Sequence, residues 1–487
     1  MEFIAKVQEA LLPIVVKVNG YMSDYILFFL LVGIGIFYTV RTRFVQVRCF
    51  GEGMKKVFGG LSLRGGKQKG GLSSFQALAT AIAAQVGTGN IIGACGAILI
   101  GGPGAIFWMW IIAFFGMATI YSEAVLAQQT KEVQADGSVL GGPVYYIKKA
   151  FNNTFGKILA VFFAIAITLA LGFMGAMVQS NSIASSVSAA TNNFVAPWVV
   201  GIILAALCAF IFIGGIQRIA SVAEKIVPIM AVGYLLVGVI ILCINIKDVP
   251  ETFGMIFKYA FVPHALLGGA VGAAIKAAIS QGVKRGLFSN EAGMGSTPHA
   301  HAQAKVENPH EQGVVAMIGV FIDTFVVLTI TALVVISTLY AGNGPLSTPE
   351  GLAGTALTKA NLMQTAVGEA FGNQMVGNII IAVCLTFFAF TTIISWNFFG
   401  KQNVQYLFGE KKSKVAVIVY SVFAIAFIFL GSLFENDLVW ELTDMFNNLM
   451  VIPNVLALAF LSKYVVDETK AAKARRLAKK AEKAQTK

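Results

Sequence analysis

The amino-acid sequence predicts an all-α polytopic membrane protein. Of its 487 residues, 57% are hydrophobic and only 12% are charged, and the mean hydropathy is +0.76. A soluble domain carries about 25% charged residues, so this composition cannot cover a surface that faces water. A second observation is a succession of apolar segments of roughly 20 residues, the length that crosses a bilayer as a helix. Together they exclude an ordinary soluble enzyme and a disordered chain.

Eleven apolar segments are long enough to cross a membrane, and we name them spans A to K in chain order. The residues before span A lack the short basic region of a signal peptide, and no small-residue cleavage site follows, so span A is predicted to stay in the protein. The spans are 22–40 (A), 75–101 (B), 105–127 (C), 157–180 (D), 197–215 (E), 226–245 (F), 265–303 (G), 312–340 (H), 376–399 (I), 414–434 (J) and 438–461 (K).

The positions of lysine and arginine predict the orientation of the spans. Eight basic residues lie between spans A and B and nine follow span K, whereas residues 181–196 hold none and 341–375 hold only Lys359. Basic residues gather in cytoplasmic loops, so this alternation predicts an outer N-terminus and a cytoplasmic C-terminus. The basic tail is predicted to lie as a helix on an anionic inner leaflet, or to be solvated without a partner.

Span B carries a polar interruption at the depth of the bilayer centre, in the segment QVGTGN. Its glycines, threonine and asparagine weaken a helix, and freed backbone groups in lipid must face protein or water. A helix broken here would offer N–H groups to a carboxylate and carbonyl oxygens to Na⁺. The alternative is a glycine-rich surface for close helix packing.

Span G carries a similar interruption, in the segment SNEAG, which contains the ionisable Glu291. Spans B and G are the first and sixth of the last ten, so they occupy matching places in two groups of five. Matching interrupted segments indicate the site of a secondary transporter built from an inverted repeat. The predicted division is 1–74 (extra N-terminal helix and basic loop), 75–245 (first repeat), 246–461 (second, inverted repeat) and 462–487 (basic cytoplasmic tail).

Span I places three hydroxyl groups within about one turn, on Thr391, Thr392 and Ser395. Hydroxyl and carbonyl oxygens suit a small cation that has no charged partner, although such hydroxyls also bond to their own helix backbone. Two further polar side chains leave alternatives open. Gln179 in span D either faces the pathway or does not, and Asp323 in span H either titrates or only donates and accepts hydrogen bonds.

Other charged residues are equally open from the sequence. Lys276, Lys284 and Arg285 precede the interruption in span G, where they could steer or gate a carboxylate, or lie at the membrane interface. A structural role is predicted for Glu123 near the inner end of span C. The spacing of the five cysteines and four histidines gives no metal-binding signature.

The chain resembles the alanine or glycine:cation symporter family in the segments FQALATAIAAQVGTGNIIG, GGPGAIFWMW, GVKRGLFSNEAGMGS and FAFTTIISW. The likeness runs from about residue 20 to about residue 470. It implies the inverted-repeat fold of the leucine transporter with one extra N-terminal helix, which agrees with eleven spans. It also implies that small neutral amino acids, chiefly alanine and glycine, enter with Na⁺ and without an organic cofactor.

The resemblance implies individual site residues. Na⁺ ligands would be the carbonyl groups of Ala83, Val86 and Phe388 and the hydroxyls of Thr391 and Thr392. The substrate carboxylate would meet the N–H groups of Thr88 and Gly89. The expected substrate-binding set is Gln85, Gly87, Thr88, Gly89, Asn90, Gln179, Phe288, Ser289, Asn290, Gly293, Met294 and Trp396.

The function expected from these features is Na⁺-driven symport by alternating access in a prokaryotic inner membrane. Proton coupling through Asp323 or Glu291 is the first alternative, and an ion channel is a more remote one. No phosphate-binding GxxxxGK[ST] motif occurs, so ATP is not the expected energy source. No catalytic set of residues indicates an enzyme, and no nucleic-acid partner is expected.

Overall fold

The computed structural model describes residues 2–59, 72–134, 137–262, 271–348, 357–433 and 437–485, which form helices and one two-stranded sheet. A continuous helix begins at Glu2, and its apolar part is α1. In chain order the elements are α1 (Gln8–Arg41), α2 (Val45–Arg48), α3 (Phe50–Phe58), α4 (Ser74–Gln85), α5 (Gly89–Gly101), α6 (Ala105–Thr130), β1 (Glu132–Val133), β2 (Val139–Leu140), α7 (Pro143–Ala150), α8 (Thr154–Ala190), α9 (Pro197–Ile213), α10 (Gly215–Ile244), α11 (Val249–Tyr259), α12 (Val271–Asn290), α13 (Pro298–Ala302), α14 (Pro309–Tyr340), α15 (Leu362–Phe371), α16 (Gln374–Gly409), α17 (Lys412–Leu433), α18 (Asp437–Phe460) and α19 (Ser462–Gln485).

Eight of the described helices are long and apolar enough to cross a membrane, and the bent pair α4–α5 makes nine. They match spans A, C, D, F, H, I, J and K, and the bent pair matches span B. Span E is the shorter helix α9, with 17 residues, and most of span G is α12, which carries three basic side chains. A helix therefore lies at every predicted span, and the count of eleven crossings stays a prediction.

Some predicted features lie outside the described residues. They are the first part of span G (265–270) and three of the basic residues between spans A and B, namely Arg64, Lys67 and Lys69. The basic tail is helical, as α19, and its Thr469 hydroxyl approaches the Tyr121 hydroxyl of α6 at 3.2 Å. Contact with lipid remains a prediction.

Local sequence determines where key helices begin and end. Ser73 caps α4 through a reciprocal pair of hydrogen bonds with Gln76, each 3.1 Å long, which satisfies two N–H groups that the first turn leaves free. The side chain of Asn153 accepts from the Gly156 N–H at the start of α8. Gly409 has a φ of 65° and separates α16 from α17.

Two interrupted helices lie in the buried interior. The first bends by 46° between α4 and α5, at Val86, Gly87 and Thr88. The second is the segment between α12 and α13, where Glu291, Gly293 and Gly295 have φ values of 58°, 89° and 84°. Glycine adopts such values without strain, but a residue with a Cβ rarely does.

Side chains satisfy the backbone groups that these interruptions free. The Gly87 N–H donates to Asn90 Oδ1 (3.0 Å), and the Ala292 N–H donates to Asn290 Oδ1 (3.0 Å). Each asparagine thus completes a local turn in place of the missing helical bonds. This arrangement lets an irregular backbone persist inside a membrane protein.

The outer surface of the assembly is apolar, as lipid contact requires. Large exposed side chains include Phe29, Ile213, Ile229, Val415 and Phe460.

The two interrupted helices are joined at one end by a backbone bridge. The Leu72 N–H donates to the Gln303 carbonyl and the Lys305 N–H donates to the Leu72 carbonyl, both at 3.0 Å.

Candidate functional site

An oxygen cluster lies where the break after α4 meets α16. Thr392 Oγ1 is 2.9 Å from the Ala83 carbonyl oxygen, 3.0 Å from that of Phe388 and 3.5 Å from that of Val86. All four residues are buried. The Phe388 carbonyl also lies 3.0 Å from the Thr391 hydroxyl, so the acceptors that depend on the one proton of Thr392 are the carbonyls of Ala83 and Val86. A small cation suits such a cluster.

Thr391 lies on the edge of this cluster. Its hydroxyl donates within α16, to the carbonyls of Phe387 (2.9 Å) and Phe388 (3.0 Å). The structure therefore brings together the five groups that the sequence analysis expected around Na⁺. The Thr391 hydroxyl bonds to its own helix and also lies beside the cluster. The geometry is therefore compatible both with a cation ligand and with a hydroxyl that only bonds to its own backbone.

Gly87 gives the break a close approach to two neighbouring helices. A Cβ at this position would lie 2.5 Å from Thr392 Oγ1 of α16 and 3.3 Å from both side-chain polar atoms of Gln179 of α8. The Thr88 N–H donates to Gln179 Oε1 at 3.2 Å. Gln179 therefore faces the break, and its place on the transport pathway stays a prediction.

Several buried polar atoms beside the break have no hydrogen-bond partner among the described residues. They are Thr88 Oγ1, Gln179 Nε2 and Ser395 Oγ, together with Gln85 Oε1. Buried polar groups normally find a partner, so a cluster of exceptions indicates a binding site. The other polar end of Gln85 donates to the Asn290 carbonyl (2.6 Å) and so links the two interruptions.

Aromatic side chains enclose the other side of the break. The Phe288 ring lies 3.1 Å from the place of a Cβ on Gly89 and forms an edge-to-face contact with Trp396, with ring centroids 6.1 Å apart. The Trp396 ring lies against Gly175 of α8, where a Cβ would be 2.5 Å away. Little space remains here for a large side chain of a ligand.

Asp323 of α14 joins the two interruptions. Its carboxylate accepts from Asn90 Nδ2 (2.6 Å), Ser289 Oγ (3.0 Å) and Thr324 Oγ1 (2.8 Å). Among the described residues it forms no ion pair. The expected residues Asn90, Ser289 and Asn290 thus lie together, around a carboxylate that the sequence flagged without placing it in the site.

A second polar network holds the interruption after α12 in place. Glu291 accepts from Trp396 Nε1 (2.6 Å) and from the Ser296 hydroxyl. Glu123 of α6 accepts from the Gly293 N–H (3.1 Å) and from Asn454 Nδ2 (2.6 Å). These contacts give Glu123 the structural role predicted for it.

Two expected pocket residues have their contacts elsewhere. A Cβ on Gly293 would lie 2.8 Å from Leu31 of α1. Met294 is fully buried, and its N–H donates to the Glu291 carbonyl. Neither makes a described contact with Thr88 or Gly89, so their place in the pocket stays a prediction.

A charged and aromatic closure covers the site on the side predicted to face outward. The Trp440 ring packs on Phe288, with centroids 5.6 Å apart, while Arg285 and Lys359 lie over its face. Asp444 Oδ2 is 2.9 Å from Lys284 Nζ and 3.3 Å from Arg285 Nη1. Beyond Trp440 lies a cavity of about 470 Å³, lined with polar residues such as Ser182 and Gln364.

The closure shows which partners the basic residues before the second interruption have. Lys284 and Arg285 act as partners of Asp444, and Lys276 instead lies over the Tyr25 ring, at 5.0 Å. Sequence reasoning missed Asp444 and Asn454, although both are polar residues in the apolar span K. Asp323 was singled out as a polar residue within an apolar span, and the same pattern could have identified Asp444 and Asn454.

Comparisons with known proteins identify the family of this chain. The model of the sodium:alanine symporter family matches residues 8–486. The sodium/alanine symporter AgcS of Methanococcus maripaludis is 41% identical over 455 residues, which cover 93% of this chain and 95% of that protein. YrbD of Bacillus subtilis, whose name proposes a sodium/proton-dependent alanine carrier, is 40% identical over 456 residues, covering 92% of this chain and 90% of that protein.

A solved structure supports the fold. The crystal structure of MhsT in complex with L-phenylalanine matches with a TM-score of 0.60 at 13% sequence identity, covering 83% of this chain and 93% of that one. The match shows that the chain adopts the leucine-transporter type of fold that the family resemblance implied. The chain belongs to the sodium:alanine symporter family, and it is a multi-pass membrane transporter of amino acids rather than an enzyme.

Proposed function

We propose that the protein imports small neutral amino acids such as alanine and glycine together with Na⁺, by alternating access. The relatives AgcS and YrbD carry names that refer to sodium and alanine, which supports this choice of substrates. The proposed location is a prokaryotic inner membrane, with the N-terminus outside and the C-terminus in the cytoplasm.

The oxygen cluster around Thr392 is the observation on which the proposal rests. Three carbonyl oxygens and a hydroxyl converge there, and the carbonyls of Ala83 and Val86 share the single hydroxyl proton of Thr392. A Na⁺ ion would satisfy these oxygens and tie α4 to α16. Its ligands would be the carbonyls of Ala83, Val86 and Phe388 and the hydroxyls of Thr392 and Thr391.

The amino acid would bind beside this ion, at the beginning of α5. The first N–H groups of a helix have no partner in the preceding turn, and they carry the positive end of the helix dipole. At Thr88 the N–H now donates to Gln179 Oε1, in the place that a carboxylate oxygen would take. The unpartnered atoms Thr88 Oγ1 and Gln179 Nε2 supply further polar contacts.

Coupling would follow from the shared backbone between Val86 and Thr88. Val86 contributes a cation ligand and Thr88 contributes the substrate contact, so each ligand orders the segment that the other needs. Binding of one therefore strengthens binding of the other, reciprocally. Inward movement of Na⁺ would add about 2.3 kcal/mol per charge for each 100 mV of membrane potential.

The preference for small side chains would come from steric exclusion. Phe288 and Trp396 pack against Gly89 and Gly175, so a bulky substrate would have to displace aromatic rings from a buried position. Glycine, alanine and serine need no such rearrangement. We therefore expect uptake to decrease as the substrate side chain grows.

The test is uptake of radiolabelled alanine into liposomes that contain the purified protein. An inward Na⁺ gradient should drive accumulation above equilibrium, and K⁺ in place of Na⁺ should abolish it. Unlabelled glycine, serine and glutamine in excess would rank the substrates by competition. Saturable uptake that never exceeds equilibrium under a Na⁺ gradient would refute symport.

Proton coupling is a second candidate because of Asp323. This carboxylate bridges the interrupted helices without an ion partner among the described residues, and the name of YrbD includes the proton. The same liposomes distinguish the two cases. A proton gradient without Na⁺ should drive uphill uptake only if a carboxylate carries the coupling proton, and Asp323→Asn should then remove that drive.

A further inference from the structure

Three side chains with metal-binding atoms meet on the side of the molecule predicted to be cytoplasmic. The Cys49 Sγ, a carboxylate oxygen of Glu52 and a ring nitrogen of His310 all lie within 4.8 Å of one another. His310 Nε2 is 3.4 Å from Glu52 Oε1. Cys49 is the N-cap residue of α3, Glu52 lies in the first turn of α3, and His310 lies in the first turn of α14.

The orientation of the His310 ring is fixed from behind. Its Nδ1 pairs with the Tyr121 hydroxyl at 2.7 Å, and that hydroxyl also approaches Thr469 of α19. Nε2 is consequently left facing Glu52 and Cys49. Metal-binding histidines are usually held in this way, with the second ring nitrogen bonded to an oriented neighbour.

The two helices that carry these side chains are held at close range. A Cβ on Gly53 of α3 would lie only 2.7 Å from the Val314 carbonyl and from a side-chain carbon of Ile318, both in α14. A glycine at this point lets the backbones approach. Cys49, Glu52 and His310 are therefore presented by a packed interface rather than by independent loops.

We infer that Cys49, Glu52 and His310 form a binding site for a divalent transition-metal ion of the zinc class. A thiolate, an imidazole and a carboxylate are ligands of Zn²⁺, whereas Mg²⁺ and Ca²⁺ prefer oxygen ligands throughout. Three protein ligands leave the fourth tetrahedral position to water. This inference concerns residues outside the proposed transport site and does not depend on it.

The distances are compatible with this assignment. Bonds of about 2.0–2.3 Å to a tetrahedral zinc ion place the ligand atoms about 3.3–3.8 Å apart. The three atoms would therefore move together by about 1 Å, which rotations of the Glu52 and Cys49 side chains can supply. Glu52 is the most accessible of the three, and with His310 it lines a surface cavity of about 830 Å³ that gives an ion a way in.

The cavity beside the proposed metal site is lined by both positively and negatively charged side chains. Lys55, Lys56, Arg475 and Arg476 line the same cavity, but so do Glu307 and Glu311. The hydrogen bond with His310 is the largest influence on Glu52 and lowers the pKa of its carboxyl, so this side chain is ionised at neutral pH. Burial raises the pKa of the Cys49 thiol, but a bound metal ion deprotonates a coordinating thiol outright.

The test is a Co²⁺ titration of the full-length, detergent-solubilised protein from which any histidine tag has been removed. A near-ultraviolet thiolate-to-cobalt absorption band should appear, reach a plateau at one ion per chain and disappear when Zn²⁺ is added. Cys49→Ser should abolish the band. His310→Gln should weaken binding of Co²⁺ by about tenfold or more, and Tyr121→Phe by about tenfold.

Cys243→Ser is the matched control, because Cys243 is an exposed cysteine on α10. This variant should retain the full band. Absence of a thiolate band in the wild-type protein, survival of the band in Cys49→Ser or its loss in Cys243→Ser would each overturn the inference. If Cys49→Ser does not fold, unchanged Co²⁺ affinity in His310→Gln would overturn it equally.

Discussion

A threonine hydroxyl has one proton to donate and two lone pairs with which to accept. At most positions in a membrane helix it donates to a carbonyl one turn earlier, as Thr386 does to Ala382 at 2.7 Å. Thr392 also reaches the carbonyl of its own preceding turn, but in addition it meets two carbonyls from another helix. The same residue type therefore serves α16 alone in one case and an interhelical oxygen cluster in the other.

We expect Thr392→Ala to raise the Na⁺ concentration for half-maximal uptake at least about tenfold, equivalent to about 1.4 kcal/mol. The substitution removes one cation ligand and leaves the carbonyls of Ala83 and Val86 facing Phe388. Thr392→Ser should restore most of the wild-type dependence because it keeps the hydroxyl. The measurement is alanine uptake at graded Na⁺ concentrations in proteoliposomes.

Thr386→Ala supplies the control, since it removes a hydroxyl of α16 that, among the described residues, bonds only to its own helix. Its Na⁺ dependence should equal that of the wild type. If Thr392→Ala shifted the maximal rate alone and left the Na⁺ dependence intact, the oxygen cluster would not be the coupling site.

At the residue scale, polar side chains in apolar spans could be predicted to matter, but their partners could not. Asn90 stands out because it lies in the polar interruption of span B, and Thr392 because three hydroxyl groups lie within about one turn of span I. The bond from Asn90 to Asp323 joins residues far apart in the chain, and no local pattern encodes it. Cys49, Glu52 and His310 escaped notice for the same reason, because only the fold brings α3 against α14.

Among the helices, α4 and α5 show how a missing side chain creates a site. The break requires Gly87 to lie against α8 and α16 at once, at a distance that no Cβ would allow. Gly93, a few residues further along the same broken helix, has only ordinary contacts at 3.9 Å where its Cβ would lie. The two glycines therefore have different reasons to be present.

We predict that Gly87→Ala abolishes uptake, since the added methyl group would lie 2.5 Å from Thr392 Oγ1 and would separate the break from α16. Gly93→Ala should retain uptake within about twofold, and alanine should favour helix there. Uptake by both variants, with surface expression measured in parallel, checks the prediction. Full activity of Gly87→Ala would contradict the close packing of the break.

Helix positions were predictable because the apolar segments are long, whereas helix ends were less so. Span F was expected to begin at 226, but α10 begins at Gly215, since its first turns carry polar residues that the apolar pattern does not include. The continuous helix that leads into span A begins at Glu2 rather than at 22, for a similar reason. The break after α12 was placed correctly because glycine and polar residues interrupt the apolar run there.

On the scale of the whole molecule, the described structure is closed on the side predicted to face outward. Phe288 contacts Gly89 on one side and Trp440 on the other, and Trp440 lines the outer cavity. Asp444, which is 3% exposed, attracts Lys284 and Arg285 across this closure. Removing one partner from a buried group of charges is destabilising, because it leaves a buried charge without compensation.

We predict that Asp444→Asn favours the outward-open state. Without the carboxylate, Lys284 and Arg285 lose the attraction that holds α12 to α18. A larger outward-open fraction should lower the apparent KM for external alanine by about threefold, because apparent affinity follows the population of the competent state. The maximal rate of alanine uptake, measured in proteoliposomes, should fall because closure becomes less favourable.

The control is Asp437→Asn, whose carboxylate is largely exposed and lies 3.9 Å from Lys359. Exposed pairs contribute little, so its kinetics should match the wild type. A raised KM with an unchanged rate in Asp444→Asn would instead mean that Asp444 attracts the substrate and does not hold the closure.

The architecture itself was predictable from two patterns that act over the full length. Apolar spans with interruptions at matching places predicted the inverted repeat, and the fold shared with MhsT agrees. The charged and aromatic closure could not be predicted, because it depends on side chains from α12 and α18 that come together only after the chain has folded. The orientation of the termini rests on the lysines and arginines alone and stays a prediction.

The backbone bridge at Leu72 has a mechanical consequence. It clasps the start of α4 to the segment after α13 through two hydrogen bonds, each of which contributes about 0.5–1.5 kcal/mol in a protein. Swinging α4 alone would break both bonds, whereas swinging α4 and α13 together would break neither. We therefore predict that α4 and α13 move together when the side predicted to be cytoplasmic opens.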